Sequence, residues 1–186
     1  MKDKNISIVI GTRPEAIKLA PLILEFQKIK YINLRIILTG QHKEMVNQVM
    51  DLFKIKASIN LDIMSANQSL NEIAKLVMAG IQKEIENFPP DLIFVQGDTN
   101  SAFLTALASF YEKIPIAHVE AGLRSNNIFN PFPEEANRKL ISQIASLHFA
   151  PTSKAYRNLE KSDVSGKIFL TGNTVIDSLK IINQKA

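Results

Sequence analysis

The sequence predicts an α/β protein in which a parallel sheet is covered by helices on both faces, and three observations carry that prediction. Short, near-continuous apolar runs recur at 5–10, 34–38, 92–96 and 114–119, as expected of strands buried on both sides. Helix-forming segments separate these runs, so strand and helix alternate along the chain. Each run ends in a loop rich in glycine and polar residues, where a strand gives way to a helix. At 186 residues and 46% hydrophobic content, the chain suits one domain with a sizeable core.

Taken in order, residues 5–10 form a β-branched strand and Gly11-Thr12-Arg13-Pro14 a turn. Pro14 then opens a helix to about 29, with a kink expected at Pro21. The strand 34–38 closes in Thr39-Gly40-Gln41-His42 and leads to a helix carrying Met45, Val46, Val49 and Phe53. A short strand is expected at 59–63. Ser69 caps a long helix to about 87, with Glu72 completing a capping box. Pro89-Pro90 stops it, and 92–96 is the next strand. Gly97-Asp98-Thr99-Asn100-Ser101 feeds an apolar helix to 111. The strand 114–119 runs into Glu120 and Gly122, and Pro133 opens a helix to about 146. A strand at 147–150, a helix capped by Thr152 or Ser153, a strand at 167–170 and a terminal helix after Gly172-Asn173-Thr174 complete the chain.

Composition excludes several functions. There is no cysteine, so disulfides, thiolate metal sites and cysteine nucleophiles are ruled out. The net charge of +4 is spread along the chain, with no basic stripe or stacking aromatics, so no nucleic-acid partner is expected. The N-terminal apolar run is too short for a signal-peptide core, and nothing approaches the roughly 18 apolar residues of a membrane span. No membrane partner and a cytoplasmic location are the expectation.

Loops that follow parallel strands gather at the carboxyl edge of the sheet, where such folds bind ligands. Four of them are polar here: Arg13 with Glu15 and Lys18, Gln41 with His42, Asp98 with Thr99 and Asn100, and Glu120 with Arg124. Arg13 and Lys18 sit at a helix N-terminus, which reads as a phosphate site or as a Glu15–Arg13 pair beside a solvated lysine. Asp98, Glu120 and Glu134 form a candidate acid–base group, because carboxylates crowded in a partly dry cleft have their proton affinities driven apart. Against that, Asp98 reads equally as a helix cap and Glu134 as a complement to a helix dipole. Glu120, a strand-end carboxylate before a glycine, has no routine structural task. The first turn is neither a P-loop nor a GxGxxG motif, so no nucleotide cofactor is expected. His42, His118 and His148 lack metal-ligand spacing and predict no metal, and His118 reads as a core histidine.

Six stretches, GTRPEAIKLAPL, TGQHKEM, GDTNS, HVEAGLRS, PFPEEANRK and TGNTVIDSL, together resemble the non-hydrolysing UDP-N-acetylglucosamine 2-epimerases. The resemblance implies two Rossmann-like domains facing each other across a cleft, as in the glycosyltransferase-B fold. It also implies interconversion of UDP-N-acetylglucosamine and UDP-N-acetylmannosamine by elimination and re-addition of UDP. The family's acidic catalytic residues fall on Asp98, Glu120 and Glu134, and its first-turn Arg and Lys on Arg13 and Lys18. Gln41, His42 and Arg124 join them as substrate-binding candidates.

Members of that family run about twice this length, so residues 1–171 are expected to be the N-terminal Rossmann-like domain and 172–186 the start of the crossover to a second. UDP-N-acetylglucosamine and UDP are the expected partners, and the family's habit adds a homodimer. The competing reading is a non-catalytic sugar-nucleotide-binding or regulatory remnant that docks on a full-length epimerase.

Overall fold

The computed structural model describes residues 2–41, 43–63, 65 and 67–184. Among them, one sheet holds β1 (Lys4–Ile10), β2 (Ile32–Leu38), β3 (Ile59–Asn60), β4 (Leu92–Gln96), β5 (Ile116–Val119), β6 (Leu147–Ala150) and β7 (Lys167–Leu170). The helices are α1 (Arg13–Phe26), α2 (Lys43–Phe53), α3 (Leu70–Asn87), α4 (Asn100–Tyr111), α5 (Glu134–Ile144), α6 (Ser153–Lys161) and α7 (Val175–Asn183). All strand pairs are parallel, in the order β3-β2-β1-β4-β5-β6-β7. The order reverses between β1 and β4, which opens a crevice at their carboxyl ends.

Burial on both faces shows residue by residue. Ile6, Ile8, Ile10, Ile36, Leu38, Phe94, Ala117 and Val119 pack into one core with α1 and α2. The residues alternating with them, Val9, Ile37, Ile93, Val95 and Ile116, pack into a second core with α3, α4 and α5. A period of two divides every central strand between the layers.

Several boundaries differ from expectation. α1 ends at Phe26 because Lys28 and Ile29 donate to Glu25 and Phe26, tightening the last turn. β3 is cut to two residues, with Asp62 in the left-handed region at φ 52°. β5 begins after Pro115, and Pro133 occupies the N-cap of α5, so Glu134 is its first helical residue. Met45 is exposed, and Met50 takes the core position on α2. The Ser69–Glu72 capping box forms as predicted.

Pro21 has a specific consequence. Lacking an N–H, it leaves the Ile17 carbonyl without its usual helical donor. Ser178 Oγ of α7 donates to that carbonyl, and Ile181 and Ile182 pack against the same core. α7 is thereby docked on α1.

Gly122 follows β5 with φ 91°, and a Cβ there would lie 2.3 Å from the Ala155 carbonyl oxygen of α6. Gly172 has φ 82° but nothing within 4 Å of such a Cβ. Gly122→Ala is expected to destabilise by about 3 kcal/mol, strain plus clash, and Gly172→Ala by about 1 kcal/mol, strain alone. Urea unfolding midpoints of the two variants check the difference, and equal losses would refute it.

Candidate active site

Three connections meet over the switch point: the β1–α1 turn, the β4–α4 turn and the loop after β5. They enclose a recess of about 240 Å³ lined in part by Thr12, Lys18, Asp98, Thr99 and Glu120. A larger hollow of about 830 Å³ lies where β5, β6 and β7 begin, bordered by Phe110, Tyr111 and Ile144. Its charged lining is Lys113 and Lys167, and it holds no carboxylate.

Glu15 is fully buried and ties two of the connections together. Its Oε2 accepts from the Gly11 and Thr12 N–H groups, and Thr99 Oγ1 donates to its Oε1. Burial pushes its carboxyl above the ordinary range, more than those donors bring it down. It does not pair with Arg13, which stays exposed and has no ion pair among the described residues. Thr99, not Asp98, caps α4 by accepting from Ala102 N–H, so Asp98 is released from structural duty.

Glu120 sits at φ 63°, a left-handed backbone that a glutamate adopts only against strain. Lys18 Nζ and Gln96 Nε2 donate to its Oε2 at 2.6 and 2.5 Å. Asn173 Nδ2 donates to its Oε1 at 3.2 Å. Strand β4, helix α1 and the turn after β7 thus converge on one carboxylate.

Asp98 accepts from Arg138, which also ion-pairs with Glu135 at 3.3 Å. Desolvation raises the Asp98 carboxyl; Arg138 opposes it, and the charges of Glu134 and Glu120 push it further up. Asp98 is therefore within electrostatic reach of both other predicted carboxylates. Glu134 Oε2 is buried and has no hydrogen-bond partner among the described residues. Glu135 is a support: buried, it accepts from Ser125 and Asn126 N–H and pins the β5–α5 loop. Asn137 Nδ2 donates to the Asp98 carbonyl and to Asn100, fixing α5 against the β4–α4 turn.

The remaining candidates divide. Gln41 Oε1 accepts from Ser101 Oγ at 2.9 Å, joining the β2 end to the start of α4. His42 lies outside the described residues. Arg124 reaches Leu123 O, Ser142 and Ser162, bridging α5 and α6, and lines a separate recess with Arg138 and Lys154. Lys18 is in the group; Arg13 flanks it. His118 is a core histidine, fully buried with Nε2 2.7 Å from the Gly97 carbonyl. Sequence reasoning assigns no site role to Gln96, Arg138 or Asn173, and names Glu15 only among the polar residues of the β1–α1 turn. Arg138 carries a signal in its place four residues after Glu134.

A family model described as UDP-N-acetylglucosamine 2-epimerase matches residues 24–186. The UDP-N-acetylglucosamine 2-epimerase of Neisseria meningitidis serogroup A is 49% identical over 182 residues, 97% of this chain and 49% of that protein. The protein of the same name from Campylobacter jejuni is 49% identical over 183 residues, 98% of this chain and 48% of that protein. The crystal structure of the Neisseria meningitidis enzyme bound to UDP-GlcNAc matches with a TM-score of 0.93 at 48% identity, covering 97% of this chain and 50% of that one. The chain spans about half the length of the curated relatives it matches. With a family model over most of its residues and the same fold as a solved member, the chain belongs to the UDP-N-acetylglucosamine 2-epimerase family.

Proposed function

We propose that this chain supplies the acid–base half of a site that interconverts UDP-N-acetylglucosamine and UDP-N-acetylmannosamine. The observation that carries the reading is that Asp98 and Glu120 line one recess, with the charge of Glu134 reaching Asp98. In the forward direction the C2–H and C1–O bonds break, C1=C2 forms, a carboxylate takes the proton and UDP departs. Re-addition from the glucal, with the proton delivered to the opposite face of C2, gives the epimer. Asp98, whose proton affinity desolvation raises above that of an ordinary aspartate, is suited to taking and returning a proton. Lys18, already in the recess, and Arg13, exposed between Thr12 and Pro14, which both line it, balance the departing diphosphate.

In this reading turnover needs a second half that closes the crevice, which the doubled length of the relatives supports. Residues 1–171 are the proposed N-terminal domain, with 172–186 leading out of it. The outward sides of α3, α4 and α5 expose Leu70, Leu76, Phe110, Tyr111 and Leu140, which supports a homodimer through that layer.

Proton NMR of UDP-N-acetylglucosamine in D2O tests the function. With the chain and the separately expressed second half of the Neisseria meningitidis relative, the C2 proton signal is expected to vanish as the manno epimer appears. The chain alone is expected to leave both unchanged. Exchange by the chain alone would refute the half-site. No exchange in the mixture, beside an active full-length relative, would refute the catalytic reading and favour a binding remnant.

A further inference from the structure

Asn173 joins two things that the sheet alone does not connect. Its Nδ2 donates to Glu120 Oε1 at 3.2 Å, and its Oδ1 accepts from the Val175 N–H at 3.1 Å. Thr174, in the N-cap position of α7, makes no side-chain cap, so Asn173 supplies the cap from one residue earlier. Among the described residues it is also the one donor on Glu120 Oε1, since Lys18 and Gln96 both bond Oε2.

The contacts close into a ring. Glu120 bonds Lys18 of α1; α1 offers the Ile17 carbonyl, left free by Pro21; Ser178 of α7 bonds that carbonyl; and α7 begins on Asn173, which returns to Glu120. The two helices that pack against each other therefore each hold one oxygen of the same strained glutamate. A Cβ on Gly172, just before Asn173, would have no atom within 4 Å.

We propose that Asn173 is a positioning residue that couples the docking of α7 on α1 to the orientation of the Glu120 carboxylate. The proposal rests on the reading of Glu120 as a member of the acid–base group. Shifting α7 along α1 withdraws a donor from Oε1 while Lys18 and Gln96 keep Oε2. The carboxylate then rotates about a fixed oxygen. Anything that moves α7 thus re-aims a reacting group through one side chain, and by linkage the state of Glu120 acts back on α7.

The test uses this chain, with amide hydrogen exchange at Val175 and the side-chain carboxyl carbon resonance of Glu120 as readouts. Glu120→Ala frees the Asn173 amide and is expected to speed Val175 exchange about fivefold, the effect of one lost hydrogen bond. Asn173→Asp keeps the acceptor for Val175 but turns a carboxylate on Glu120, and is expected to shift the Glu120 resonance while α7 stays helical. Ser178→Ala, remote from the crevice, is expected to shift it in the same direction. Asn173→Ala combined with Glu120→Ala is expected to add nothing to Asn173→Ala at Val175. Unchanged Val175 exchange in Glu120→Ala, or an unmoved Glu120 resonance in Asn173→Asp, would overturn the coupling. In the complemented reaction Asn173→Asp is expected to lower kcat at least tenfold with KM within about twofold, the split of a group that acts in the transition state. If no complemented reaction is ever observed, the functional reading fails, and the two NMR readouts still decide the coupling separately.

Discussion

Replacing Asp98 by Asn is expected to lower the complemented epimerase rate by about 10³-fold, within the span that loss of one acid–base group produces. The argument is positional as much as chemical. Asp98 is not the cap of α4, a task that Thr99 performs, so the carboxylate does not repay its burial through the helix. It is desolvated, faces the charges of Glu134 and Glu120, and has Arg138 as its counter-ion. An amide keeps the shape and one acceptor oxygen for Arg138 but cannot take a proton. The fold should survive, because Asn137 bonds the backbone carbonyl of Asp98 and not its side chain. Near-neutral unfolding midpoints within about 1 kcal/mol of the parent, together with the rate loss, would identify a chemical role. A variant that keeps more than a tenth of the parental C2 proton exchange would remove Asp98 from the acid–base group.

Much of the candidate site was legible because its residues lie where strands end, and strand ends are marked by local pattern. β4, β6 and β7 fall where the apolar runs placed them, and the loops that follow β1, β4 and β5 bring Lys18, Asp98 and Glu120 to one crevice. What local pattern does not carry is who meets whom across the sheet. Arg138 and Asp98 are 40 residues apart, and Asn173 and Glu120 are 53 apart. Both pairings follow from the strand order, which alternation of elements leaves open. Glu15 is the instructive case. A glutamate in a first helical turn ordinarily complements the dipole at the surface. Here α4 packs so close to the β1–α1 turn that a Cβ on Gly11 would lie 2.5 Å from Ser101 Oγ, and Glu15 is sealed beneath that contact. The left-handed backbone of Glu120 was equally invisible, since sequence announces that conformation through glycine and not through a glutamate.

The second large effect is on stability, and it comes from two histidines buried in the sheet. His118 and His148 are paired in register on β5 and β6 and are both fully buried. Burial holds each well below the ordinary value, at about 4, and their mutual charge adds to the effect on His118. In the unfolded chain each titrates near 6.5. Between those values the unfolded state binds more protons than the folded one, so stability rises with pH across the window. Read in the other direction, stability is full above about pH 6.5 and is lost as pH falls toward 4, by on the order of 3 kcal/mol for each histidine. Glu15 and Asp98 work against this slope, because carboxyls raised in the folded state make that state the better proton binder above their unfolded values. The histidine contribution is therefore isolated by difference. Urea unfolding at pH 7 and pH 5 is expected to show a smaller pH-dependent loss in His148→Asn than in the parent, by about 2 kcal/mol, whatever the variant costs at pH 7. An equal loss in parent and variant would mean that His148 is charged in the folded protein, a state that its burial between β5 and β7 opposes.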